Sequence, residues 1–220
     1  MLHGILFVAV AFFRAMAIFY FMEEDKMENR NETLKKLVLS AVMIAIGTVL
    51  SLDPFKFGGL WLFGGGVTFC SMLPLVMVSY IYGCRWGVLT AFAYSLIQLL
   101  LGVDNVQYAT SIPMAIAIIL LDYVIAYTVI GFAGMFKNVI KNQTAAVVAG
   151  IWVTFFARFA CHFITGWMIW DALWPNELGL LSPVYSIYYN GSYMLPEAII
   201  TSVVAAILMK MAPKLFMGKA

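Results

Sequence analysis

The chain has 220 residues, of which 64% are hydrophobic and 11% charged, with a net charge of +2 and a mean hydropathy of +0.95. A soluble domain is about half apolar and a quarter charged, so this composition excludes one and predicts an integral membrane protein. The basic residues are scattered between apolar runs, with no stripe that tracks phosphates, which excludes a nucleic-acid partner.

The chain opens on MLHGILFVAVAFFRAMAIFYFM, an apolar stretch interrupted by Arg14 and followed by EEDK. A basic n-region and an A-x-A cleavage site are both missing, which argues against a signal peptide. Three readings stay open: an additional N-terminal apolar helix, an interfacial helix, or translated upstream sequence with the natural start at Met27. Arginine at mid-span costs about 2.5 kcal/mol or more on insertion scales, which favours the last two. Residues 1–26 therefore read as an extension, and 27–220 as one membrane domain.

Six long apolar segments follow, near 34–53, 67–84, 86–102, 111–134, 144–169 and 191–212. Each suits a hydrocarbon core that needs about 20 helical residues. Backbone polar groups in lipid need partners within their own segment, and long alternating strands are missing, so the spans are helices. The expected fold class is an all-α integral membrane protein, a six-transmembrane-helix bundle. Lys and Arg collect on one side, in 26–36, at Arg85, Lys137 and Lys141, and in 210–219. The other side carries Lys56 with Asp53, Asp104, Asp171 and Glu177. The positive-inside rule then places both ends of the core in the cytoplasm. The loops 53–66, 103–110 and 170–190 face outward as a natural cover for an external ligand.

The first span reads LSAVMIAIGTVLS. Ala41, Ala45 and nearby Gly47 put small residues at helical spacing, which lets another helix approach closely. Packing inside the bundle and docking of another membrane subunit both fit. Cys70, Cys84 and Cys161 are far apart in apolar runs and match no zinc or redox spacing, so they read as small buried hydrophobes. The stretch GGLWLFGGG lacks the Lys-Ser/Thr ending of a P-loop, and HExxH and GxSxG are missing too. Neither a cofactor nor a metal is expected, and ATP hydrolysis would have to come from another subunit.

Asp122-Tyr123 lies deep in the fourth span. An unpaired carboxylate there would be strongly destabilising, so it is a counter-ion for a cationic ligand or half of an ion pair, with Arg158 the obvious partner. On the fifth span Arg158, His162, Gly166 and Trp170 recur every four residues and share a helical face. Gly166 is expected to leave room for a flat ligand between His162 and Trp170. A helix–helix histidine and an interfacial tryptophan are the plainer alternatives. The run YSIYYNGSYMLPE enters the last span with Tyr185, Tyr188, Tyr189 and Tyr193, Asn190 and Glu197. Asn190-Gly191 reads as a turn, and Pro196 as part of the first turns of a helix. The tyrosines alone would make an aromatic belt; Asn190 and Glu197 add the polar groups of a site.

GGGVTFCSMLP with YGCRWG, LLDY, RFACHFITGWMIW and YSIYYNGSYMLPE together resemble the thiamine-specific substrate-binding subunits (S components) of energy-coupling factor vitamin transporters. The resemblance covers about residues 33–215. It implies a six-helix bundle in the bacterial plasma membrane that captures thiamine from outside, joined to a separate transmembrane coupling subunit and two cytoplasmic ATPases. It implies ligand contacts from Asp122 and Tyr123, His162 and Trp170, and Tyr185 and Asn190. Trp61 in the first outward loop, Tyr108 before the fourth span and Glu197 are further candidates. Ala41-x-x-x-Ala45 matches the partner-docking pattern. Asp122 stands where some members carry Glu, a shorter reach. The chemistry agrees, since thiamine's thiazolium ring is a fixed cation that a buried carboxylate offsets and an aromatic face attracts. Another vitamin or a thiamine precursor is the alternative ligand. A membrane-embedded enzyme using Asp122, His162 and Glu197 is the alternative class.

Overall fold

The computed structural model describes residues 32–53, 55–57 and 65–217. The extension 1–26 and Trp61 lie outside the described residues. The chain divides into two compact units, Met1–Ala41 and Val42–Ala220. The described part of the first unit is the opening of one helix; the packing below concerns the second.

In chain order the elements are α1 (Glu32–Ser51), β1 (Lys56–Phe57), β2 (Val67–Thr68), α2 (Leu73–Tyr82), α3 (Cys84–Leu101), a 3-10 turn at Val103–Tyr108, α4 (Ile112–Phe136), α5 (Gln143–Leu173), α6 (Ser182–Met211) and the short α7 (Lys214–Met217). The two strands pair antiparallel, with Lys56 opposite Thr68. The protein is an all-α membrane protein: α1, α3, α4, α5 and α6 are each long and apolar enough to cross a membrane.

The expected second span, 67–84, does not form as one helix. Its first third makes β2 and a turn, and α2 is a ten-residue helix. At about 1.5 Å per residue it covers about half of a hydrocarbon core. Leu73 through Tyr80 are all buried, so protein rather than lipid surrounds this irregular stretch, the condition under which broken helices persist at membrane depth.

The last span also differs from its expectation. It begins at Ser182, not near 191, with Pro183 in the first turn, where a missing N–H costs nothing. Asn190-Gly191 is therefore inside the helix rather than a turn, and Pro196 is interior too. One bond from the Asn190 side chain across to α5 and its bonds within α6, described below, outweigh its local turn preference. The connection between the last two spans shrinks from the expected 170–190 to 174–181.

The other boundaries follow local signals. Ser111 caps α4 by accepting from Met114 N at 3.4 Å, and Asn142 caps α5 by accepting from Ala145 N at 3.2 Å. α5 packs along α6 and across the second half of α4. Two stretches widen into π-helix: Ile118–Ile125 in α4 and Gly166–Trp170 in α5. Such bulges often sit at functional sites, and these two carry Asp122-Tyr123 and Trp170. Of the cysteines, Cys70 and Cys161 are buried, while Cys84 is half-buried and donates to Phe132 O at 3.6 Å.

Candidate functional site

A cavity of about 440 Å³ opens at the end of the bundle where α1, α3 and α5 finish and α4 and α6 begin. It gathers Asp122, Tyr123, His162, Trp170, Tyr185 and Asn190, six expected site residues from three helices.

Asp122 is the hub. It is buried, at 7% exposure, and both carboxylate oxygens are engaged. Oδ1 accepts from Thr165 Oγ1 and lies 3.2 Å from His162 Nδ1. Oδ2 accepts from Trp170 Nε1 at 2.8 Å. The expected pairing of Asp122 with Arg158 does not occur. Arg158 Nη1 instead donates to Glu197 Oε2 at 3.0 Å, and its guanidinium sits 4.8 Å from the centre of the Tyr127 ring.

His162 therefore has a defined orientation. With Nδ1–H directed at Asp122, a neutral imidazole presents Nε2 as an acceptor. That Nε2 is buried and has no protein partner while its ring lines the cavity. A buried polar atom without a partner is the mark of a place for a ligand or water.

The aromatic wall is built by the same bonds. Trp170, held by Asp122, stacks on Trp174 with centroids 5.7 Å apart and planes 13° apart. Trp174 in turn receives Tyr108 edge-on at 4.8 Å. Tyr108 is thus a supporting ring, about half exposed, and is not among the cavity-lining residues. Tyr123 OH donates to Gly102 O at 2.8 Å and accepts from Asn105 Nδ2 at 2.8 Å. A Cβ on Gly102 would lie 2.3 Å from that hydroxyl, so glycine lets the ring seat there.

Asn190 lines the cavity, but most of its amide is spent within α6 and on one bond across to α5. Nδ2 donates to His162 O at 3.1 Å and Ser186 O at 3.0 Å, and Oδ1 accepts from Tyr193 OH at 2.7 Å. One lone pair of Oδ1 remains. Gly166 lines the cavity between His162 and Trp170, and a Cβ there would also meet Ser186 Oγ at 2.4 Å. Its missing side chain lets α6 approach α5. Glu197 is fully buried and does not line this cavity. Of the tyrosines, Tyr185 and Tyr189 line the cavity wall, and Tyr188 is 61% exposed and faces away.

Several residues escaped the sequence. Trp174 continues the four-residue register of His162, Gly166 and Trp170, and that signal was available. Thr165 and Asn105 carried none, because a lone hydroxyl or amide is common. The acidic excess of the loops on this side was legible in the sequence, and the structure brings part of it to the cavity. Among the described residues Asp104, Asp122 and Asp171 line the cavity against one cation, Lys56, so this part of its wall is net acidic. Among the described residues no cluster of three or more His, Cys, Asp or Glu could hold a metal ion.

The chain is 27% identical over 196 residues to the thiamine transporter ThiT of Bacillus subtilis, covering 85% of this chain and 96% of that protein. It is 32% identical over 109 residues to the thiamine transporter ThiT of Lacticaseibacillus paracasei, covering 46% of this chain and 53% of that protein. A solved structure of ThiT from Listeria monocytogenes superposes with a TM-score of 0.68 at 23% identity, covering 85% of this chain and 100% of that one; this likeness speaks to the fold. The profile of the family described as "Thiamine transporter protein (Thia_YuaJ)" matches residues 37–217, and the chain belongs to that family.

Proposed function

We propose that this chain is the substrate-binding (S) subunit of an energy-coupling factor importer, and that it captures thiamine from outside a bacterial cell. The observation that carries this reading is the acidic, aromatic cavity centred on Asp122, in a chain whose family is that of thiamine transporters. Thiamine is a fixed cation joined to an aminopyrimidine. Asp122 offsets the cation, and the faces of Trp170 and Tyr185 add cation–π attraction. His162 Nε2 accepts from the ring amine, and the free lone pair of Asn190 Oδ1 takes a second donor.

Transport needs partners in this proposal. The coupling subunit docks on α1, where Ala41 and Ala45 are both exposed, and two ATPases supply the energy. The cavity faces outward and both ends of the bundle are cytoplasmic, which agrees with Lys210 and Lys214 standing at the end of the chain remote from the cavity loops. Exposed apolar side chains such as Leu100 and Phe156, each 72% exposed, face lipid.

The test is titration of the purified chain with thiamine, without ATP or partners, followed by tryptophan fluorescence. Trp170 and Trp174 line the cavity, so saturable quenching is the expected result. No response to thiamine alongside a response to another vitamin or to an aminopyrimidine precursor would replace the ligand and keep the class.

A further inference from the structure

Glu197 is completely buried and is not among the residues lining the 440 Å³ cavity. Its Oε2 holds Arg158 Nη1 at 3.0 Å. Its Oε1 accepts from Thr68 Oγ1 and, at 3.4 Å, from Ser71 Oγ. These bonds tie α6 and α5 to the turn that leads from β2 into α2. The turn also holds a strained residue: Cys70 has φ +60°, a left-handed conformation that a side chain resists and that persists where the surroundings impose it.

Both ends of this network reach the cavity. Thr68 pairs across the hairpin with Lys56, which lines the cavity wall. Arg158 stacks on Tyr127, another wall residue. Arg158 also lies one helical turn before His162, which contacts Asp122. We infer that Glu197 is a positioning residue for ligand retention: it latches the turn at Thr68–Ser71 to α5 and so holds the hairpin wall of the cavity against its Asp122 wall. The inference rests on the thiamine reading for its functional readout, while the latch itself has an independent one.

The experiment measures thiamine dissociation by stopped-flow fluorescence in wild type, Thr68→Val, Glu197→Gln and the double variant. Valine keeps the threonine shape and removes one donor to a charged group, so dissociation should quicken about tenfold. Glutamine keeps the shape but removes the charge, so its contacts to Arg158 and Thr68 are no longer charge-assisted. The double variant should then dissociate less than tenfold faster than Glu197→Gln, because both changes cut one link. Unchanged dissociation in Thr68→Val, or effects that multiply in full, would overturn the latch. Ser71→Ala, which removes the longer bond, substitutes if Thr68→Val does not fold.

The ligand-independent readout is alkylation of Cys70, which is 0% exposed, in a Cys84→Ser, Cys161→Ser background. Thr68→Val should speed it about tenfold, since the bond lost is worth about that factor; an unchanged rate in folded protein sinks the latch. Absence of any wild-type thiamine response would sink the ligand reading instead, and the Cys70 rate alone would then decide the latch.

Discussion

Asp122 is where the chemistry of single residues is most exposed to test. Three donors converge on its carboxylate, an arrangement that holds a charge ready rather than cancelling it as an ion pair would. Asp122→Asn should weaken thiamine about a hundredfold, on the order of 3 kcal/mol for the loss of a buried charge partner. The amide keeps the shape and one acceptor, so the melting temperature should move far less than the affinity. Fluorescence titration and thermal unfolding on the same preparations check this. Equal binding by two well-folded proteins would remove the counter-ion role. Trp170→Ala should cost about tenfold or more in affinity, since it removes a cation–π face worth about 1–2 kcal/mol and one of the three donors that orient Asp122.

At the scale of elements, the site depends on how closely α5 and α6 approach. Gly166 permits that approach, with Ser186 Oγ and Asn190 Nδ2 where a Cβ would stand, at 2.4 and 2.9 Å. Gly166→Ala should therefore push α6 outward and destabilise the fold by about 1–3 kcal/mol, the usual range for overpacking. It should also weaken the ligand, because the displaced Asn190 holds the backbone carbonyl of His162. Adding Ser186→Ala removes the nearest obstructing atom and should recover part of the melting temperature. A Gly166→Ala protein as stable as wild type would mean that the helices are not set by this contact. The π-helical stretches act at the same scale. Each inserts an extra residue into a turn, and together they turn Asp122 and Trp170 toward one another from different helices.

For the whole molecule, the proposal separates capture from transport. Ala41 and Ala45 stand one turn apart on α1, both exposed, and neither lines the cavity. Gly47, by contrast, is turned inward, with Tyr94 OH donating to its carbonyl at 3.3 Å. Ala41→Trp and Ala45→Trp should leave thiamine affinity unchanged, while uptake in cells that carry the energising subunits falls to background. Co-purification of the coupling subunit, measured in parallel, should be lost as well. Uptake and co-purification that survive both substitutions would assign this face to lipid.

What the sequence determined by itself is whatever local composition decides. A run of about 20 apolar residues commits a segment to the bilayer wherever its neighbours lie, so the membrane class and four of the six span positions were legible. So was the concentration of polar groups at Asp122, His162 and Asn190, because any such group is conspicuous in an apolar run. Tertiary structure decided what depends on distance between helices. Arg158 is 36 residues from Asp122 and 39 from Glu197, and no spacing rule chooses between them; the packing of α5 on α6 chose Glu197. It also shortened α2, since a helix sheathed by protein need not span. It kept Asn190-Gly191 helical as well, because the Asn190 side chain makes one bond across to His162 O on α5 and others to Ser186 and Tyr193 within α6, which together outweigh a turn preference of about 1 kcal/mol. Local energies are written along the chain. The identity of a partner is set by which helices meet, and that becomes definite once the bundle has packed.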